Sequence, residues 1–138
     1  MNREIRFRGK RCSDGKWVYG FYIESKYSWK GHKPHKSWIV SNAISNGGFF
    51  NILGRYAVKD NTVGQFTGLY DKNGKEIYEG DIVKCNEFVY SVMFNDKRFA
   101  SFGLRRKADV FMHYFGEAME SQQCEVIGNI HDNPELLK

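Results

Sequence analysis

Large apolar side chains recur at every second position in several stretches of this chain, and clusters rich in Gly, Asn and Asp stand between them. Trp17, Tyr19, Phe21 and Ile23 form one such row, and Phe88, Tyr90, Val92 and Phe94 another. A strand turns successive side chains to opposite faces, so this period commits the chain to half-buried strands rather than to helices, whose period is 3.6. Aromatic residues reach 16%, with 14 Gly and only 2 Pro, a mixture that suits strands joined by tight turns. The expected fold class is mainly β.

Ile5 and Phe7 alternate with Arg6 and Arg8 ahead of the turn-forming Ser13-Asp14-Gly15, which predicts a hairpin into the Trp17 row. That row is expected to face inward, with the arginines outward on a strand near a sheet edge. Residues 26–36 break the alternation and read as a polar loop before a short strand at 38–40, while residues 41–54 read as an irregular connection. Strands at 66–70 and 76–78 flank Asn73-Gly74, which predicts a type I′ hairpin with positive φ at both residues. Gly80 is expected to permit a sharp bend before Ile82 and Val83 enter the core.

Further on, the Phe88 row and the row Ala100, Phe102 and Leu104 predict two more strands around a loop at 95–98. Val110, Phe111, Tyr114, Phe115 and Ala118 fall on one helical face behind Asp109 as a cap, which predicts one helix of about three turns. A last strand at 124–130 precedes Asp132-Asn133-Pro134, with Pro134 opening a terminal helical turn. Together these elements predict a small SH3-like, partly open barrel at 59–138 and a β-hairpin-rich, basic part at 1–58.

The charge divides in the same place. Residues 1–58 carry 11 basic and 3 acidic side chains, residues 59–138 carry 10 and 13. An excess of this kind in the first part suits an anionic partner, or docking on an acidic surface of this chain or of a second copy. No apolar run of about 18 residues exists, and residues 1–6 are charged, so neither a membrane span nor a secretory signal is expected and the host cytoplasm is the expected location.

Three stretches, taken in order, resemble the YopX family of small bacteriophage and prophage proteins. They are Ile5-Arg6-Phe7-Arg8-Gly9-Lys10 with Trp17-Val18-Tyr19-Gly20, then Thr62 to Leu69 running through Asp71-Lys72-Asn73-Gly74 to Glu79-Gly80-Asp81-Ile82-Val83, and lastly Glu125-Val126-Ile127-Gly128-Asn129-Ile130. The resemblance implies an accessory protein with an SH3-type carboxy-terminal part. It transfers no catalytic residue and no cofactor.

The stretch with most chemical promise is Lys26-Tyr27-Ser28-Trp29-Lys30-Gly31-His32-Lys33-Pro34-His35-Lys36-Ser37-Trp38, with four lysines, two histidines, three aromatics and no carboxylate. Lysines neutralise phosphates and aromatic rings stack on exposed bases, so nucleic-acid contact is the candidate role for Lys26, Tyr27, Trp29, Lys30, His32, Lys33, His35 and Lys36. Arg105, Arg106 and Lys107 extend that surface if folding brings them alongside. The plainer alternative is a solvated loop with its tryptophans anchored in the core.

Other constellations are weaker. His32 and His35 need further ligands to hold a metal, and Pro34 between them opposes a helical ligand face. Asp109, His113 and Glu117 at i, i+4 and i+8 share one helix face, where ordinary charge pairing explains them as well. Glu79 and Asp81 form a conceivable carboxylate pair, with the bend at Gly80 expected to turn both to solvent. Cys12, Cys85 and Cys124 are odd in number and contain no C-x-x-C, so three free thiols are expected. Lys10 and Arg11 favour a thiolate at Cys12, but no base stands nearby. Signatures of serine hydrolases, phosphate-cradling loops, zinc proteases and dinucleotide folds are missing. The expected function is a non-enzymatic binding module without cofactor or metal, whose partner is nucleic acid, a host or phage protein, or a second copy of the chain; a small hydrolase is the third reading.

Overall fold

A computed structural model of the protein describes residues 2–25, 36–42, 53–95, 100–107, 109, 113–115 and 121–138. They are mainly strand, in antiparallel sheets that do not close into a barrel. The chain divides into one unit of Glu4–Gln65 and a second of Phe66–Lys138 with Met1–Arg3.

In the first unit, β1 (Phe7–Lys10), β2 (Trp17–Glu24), β3 (Ser37–Asn42) and β4 (Leu53–Val58) pair in sequence order. β5 (Gly64–Tyr70) starts here, with Gly64 and Gln65 opposite Arg8 and Phe7. A single bridge between Arg11 and Val58, with Cys12 N donating to Ala57 O, brings the end of β4 back to the end of β1 and curls the sheet. Thr62 pins this return, its Oγ1 accepting from Lys10 N at 2.9 Å and donating to Lys59 O at 2.7 Å. Residues 41–42 belong to β3 and residues 53–54 to β4, where an irregular connection was expected, and residues 43–52 of that connection lie outside the described residues.

The β1–β2 hairpin forms as expected, but its faces are exchanged. Val18 and Tyr22 point inward, with the Tyr22 ring 5.6 Å from Phe7 and its hydroxyl hydrogen-bonded to the buried Ser37. Tyr19, Phe21 and Ile23 are exposed. Space explains the exchange. Val58 packs directly on Gly9, so that a Cβ there would stand 3.0 Å from the Val58 Cβ, and Gly9 lies opposite Val18. A layer this thin admits Val18 and not a row of tryptophan, tyrosine and phenylalanine. Ile39 is fully buried beneath it, a burial worth about 1.5–3 kcal/mol.

In the second unit the remainder of β5 pairs with β6 (Glu76–Tyr78). β7 (Asp81–Cys85), β8 (Phe88–Asn95), β9 (Ser101–Arg105), β10 (His113–Tyr114) and β11 (Cys124–Asn129) form a five-stranded sheet in the order β10-β9-β8-β7-β11. Its core is Ile77, Val83, Cys85, Tyr90, Val92, Leu104 and Cys124, with Leu69, Phe115 and Val126 packed against it. Tyr90 and Val92 of the expected row point inside, and Pro134 opens a 3-10 turn at Pro134–Leu137.

Four expectations are corrected in this unit. The residues expected at the centre of a helix instead form β10, with His113 opposite Leu104 and Tyr114 opposite Gly103, and Val110, Phe111 and Ala118 lie outside the described residues. Cys85 and Cys124 are not free thiols but a disulfide; 39 residues apart in sequence, they face each other across β7 and β11 with Cα atoms 4.2 Å apart. Asp81 is 1% exposed, turned in by the bend at Gly80 (φ +86°), and its Oδ2 accepts Tyr78 N at 2.8 Å.

The Asn73-Gly74 turn is the fourth. Only Gly74 has positive φ (+77°), because the loop runs over three residues, closed by Asp71 N donating to Lys75 O and Gly74 N to Asp71 O. This is a type I turn with glycine in the left-handed position that follows it. A Cβ on Gly74 would meet nothing within 4 Å, so Gly74→Ala tests the backbone alone. The expected loss is about 1–2 kcal/mol in urea unfolding. An unchanged midpoint would show that the turn does not require the left-handed residue.

Candidate functional site

The exchange of faces in β2 creates the most distinctive surface among the described residues. Opposed residues in an antiparallel pair project to the same side. Lys10 opposes Trp17, Arg8 opposes Tyr19, Phe21 opposes Val40, Ile23 opposes Trp38, and Val40 in turn opposes Arg55. One face of the sheet therefore carries Arg8, Lys10, Trp17, Tyr19, Phe21, Ile23, Trp38, Val40 and Arg55.

Cations and rings are paired within this face. The Arg8 guanidinium lies 4.6 Å from the centre of the Trp17 ring and the Lys10 ammonium 5.6 Å from it, while the Arg55 guanidinium lies 4.9 Å from the Trp38 ring. A cation over an indole is attracted by the ring's negative face, which helps to set its direction. Arg8 is buried at 7% exposure, whereas Arg55 is exposed. Tyr19, Phe21 and Ile23 stand out at 43%, 60% and 49% exposure. No carboxylate belongs to the face among the described residues; the nearby Glu24 opposes Ser37 on the other side.

Of the residues singled out in the sequence, Lys26, Tyr27, Trp29, Lys30, His32, Lys33 and His35 lie outside the described residues. Lys36 precedes β3 in the first unit, its Nζ 3.2 Å from Glu24 Oε1, and the hydrogen bond and charge of Glu24 hold its pKa above the ordinary lysine value. Arg105, Arg106 and Lys107 belong to the second unit. Arg105 and Lys107 are exposed there, while Arg106 donates to Asp109 Oδ1 at 2.7 Å and stacks 4.5 Å from the Phe88 ring.

Asp109 is fully engaged. Its Oδ2 lies 3.0 Å from His113 Nε2, and the Arg106 hydrogen bond, opposed by partial burial and assisted by His113, holds its carboxyl below the usual range. With His113 in a strand, Asp109 and His113 share no helix face, and Glu117 lies outside the described residues. No group of three or more His, Cys, Asp or Glu suited to a metal occurs among the described residues. Cys12 is exposed and free, and its backbone N–H donates to Ala57 O.

A depression of about 510 Å³ in the second unit is lined by Gly68, Leu69, Tyr70, Asp71, Lys72, Gly74 and Ser121. Its ionic groups are committed to structure. Lys72 is paired with Glu125 at 2.6 Å, and Asp71 accepts backbone N–H groups from Asn73, Lys75 and Val126 at 2.8–2.9 Å. Burial works to raise the Asp71 pKa, and the three amides outweigh it and bring it below the ordinary value. No helix among the described residues is long and apolar enough to cross a membrane.

Sequence reasoning missed Lys10, Tyr19, Phe21 and Arg55 as surface chemistry, and Arg8, expected to face solvent, is 7% exposed. The period-two rows place them on common faces, but nothing in the period says which face turns out. A hint was present in Gly9 and Gly20, whose small size marks the thin side of the hairpin.

The chain is similar over 99% of its length to the whole of a solved protein, EF1440 from Enterococcus faecalis, at 22% identity and a TM-score of 0.52, a likeness of fold alone. No curated protein matches it. The family model described as YopX protein matches residues 6–138, nearly the entire chain, and on that match the chain belongs to the YopX family.

Proposed function

We propose that the protein is a non-enzymatic binding module, a phage or prophage accessory protein of the host cytoplasm, that contacts nucleic acid through the aromatic and cationic face of its amino-terminal sheet. The observation that carries this reading is the exposed Arg55, stacked on Trp38, on the same sheet face as the exposed Tyr19 and Phe21. Phosphates attract exposed cations and bases supply ring surface. The segment joining β2 to β3 adds Lys26, Lys30, Lys33 and Lys36 in sequence.

Binding of a labelled oligonucleotide, followed by anisotropy across a salt series, tests the reading. Affinity is expected to fall steeply with salt, and Lys30→Glu, Lys33→Glu and Lys36→Glu together are expected to flatten the slope by about 2, three phosphate contacts at roughly 0.7 each. Absence of binding at low salt ends the proposal. The row Tyr19, Phe21 and Ile23 also favours a second reading, an adaptor that engages a protein or a second copy of this chain; its binding survives nuclease and high salt.

A further inference from the structure

We propose that the Cys85–Cys124 disulfide is a redox latch on the leading half of β11, residues 121–126, which opens as a flap once the bond is reduced. The inference concerns the second unit alone and does not depend on the nucleic-acid reading. Its ground is that the two halves of β11 are held by different means. Cys124, Glu125 and Val126 pair with Cys85, Lys84 and Val83 in one register, Gly128 and Asn129 with Ile82 and Asp81 in another, and the ladder slips between Val126 and Gly128. A bulge of this kind interrupts the ladder and lets the strand bend there.

The trailing half is clamped without the disulfide. Gly128 packs so closely on Asn133 that a Cβ there would stand 2.6 Å from its Oδ1. Asn129 N donates to that same oxygen, Asn133 N to Asn129 O, and Ile130 N to Gly80 O. The leading half is tied on its outer side to the Asp71 loop, where Lys72 N donates to Cys124 O, Val126 N donates to Asp71 Oδ2 and Lys72 pairs with Glu125. On its inner side the disulfide joins it to β7. While that bond is closed, Cys124 cannot part from Cys85, and this half leaves the sheet only when β7 does too.

Reduction changes the route. One thiolate of a dithiol reductant attacks a sulfur of the pair and forms a mixed disulfide, which the second thiol resolves. The reductant leaves as a disulfide, and Cys85 and Cys124 remain as two thiols. Both cysteines are 0% exposed, so the attack waits on a first opening of the fold around them. With the tether gone, the leading half swings at the bulge, frees Lys72 N and Val126 N, and bares the edge of β7 at Val83, Lys84 and Cys85. Ser121, on the wall of the depression of about 510 Å³, moves with it. Thiol-reducing compartments therefore favour the open flap, and oxidation favours the closed one.

The experiment follows amide hydrogen exchange by NMR in the full chain carrying Cys12→Ser, where no third thiol can exchange, with oxidised or reduced dithiothreitol. The Lys72 and Val126 amides report the leading half; those of Ile130, bonded to Gly80 O, and Gly80, bonded to Val92 O, report the clamped surroundings. On reduction the Lys72 and Val126 rates are expected to rise about a hundredfold relative to those of Gly80 and Ile130, reversibly on reoxidation. Urea should affect this extra exchange little, because a local opening exposes little surface. The ratio compares amides within one molecule, so a general fall in stability does not mimic it. A ratio unchanged by reductant overturns the proposal. An equal rise at all four amides, or outright unfolding of the reduced chain, overturns it as well, since the bond would then secure the whole unit rather than a flap.

Discussion

Asp71→Ala is expected to lower the stability of the carboxy-terminal unit by about 3 kcal/mol or more, read as a fall in the urea midpoint at neutral pH. Asp71 is 4% exposed and accepts three backbone N–H groups, two from its own hairpin loop and one from Val126, 55 residues away in β11. Hydrogen bonds to a charged acceptor contribute about 1.5–3 kcal/mol each, and donors left without a partner inside the fold add a desolvation cost. The sum is reduced where water enters in place of the carboxylate. Asp71→Asn keeps one acceptor oxygen but presents an NH₂ to a donor, so an intermediate loss is expected.

The same residue sets a pH dependence. Its folded pKa is depressed, against burial, by the three amides, so its stabilising contribution is complete above the unfolded value of about 3.9. That contribution is lost as pH falls through the folded value. Wild type should therefore lose stability on acidification below about pH 4, and Asp71→Asn should lose less over the same window. Equal acid limbs in the two proteins would remove Asp71 from the account.

The second large effect is expected at the disulfide. Cys85–Cys124 closes a separation of 39 residues, for which the chain-entropy relation gives about 4 kcal/mol. The pair lies fully buried among Val83, Tyr90, Val92 and Leu104 and ties the edge strand β11 to β7. A reducing agent should lower the urea midpoint in a Cys12→Ser background, where no third thiol can exchange. Cys85→Ala with Cys124→Ala should unfold at a low midpoint that the reducing agent leaves unchanged. A wild-type midpoint indifferent to reductant would mean that the cross-link adds nothing beyond the packing around it. Since reducing compartments keep thiols open, the two midpoints also state how stable this unit is on either side of a membrane.

Strands were legible wherever alternation and turns agreed: β2, β8 and β11 lie close to where the rows placed them. β4 was not, because Leu53, Gly54 and Arg55 show no alternation to a reader who lacks their partners Asn42, Ser41 and Val40. The spacing of Val110, Phe111, Tyr114 and Phe115 satisfied a helix, yet His113 and Tyr114 pair with β9; a short apolar run fits both periods, and a waiting strand edge decides between them. As for the candidate site, the basic aromatic segment from Lys26 to Lys36 drew attention by composition. The face built by Arg8, Lys10, Phe21, Trp38 and Arg55 is spread over four strands and has no local signature.

What the sequence by itself determined is everything governed by a few neighbouring dihedrals: strand period, the positive φ at Gly74 and Gly80, the proline-led final turn, and the order of motifs that marks the family. Tertiary structure alone decided which side of β2 meets solvent, that Cys85 finds Cys124, and that Asp71 reaches Val126. The reason is physical. Alternation is symmetric between the two faces of a strand, and only the available volume on one side, here the thin layer between Gly9 and Val58, breaks that symmetry.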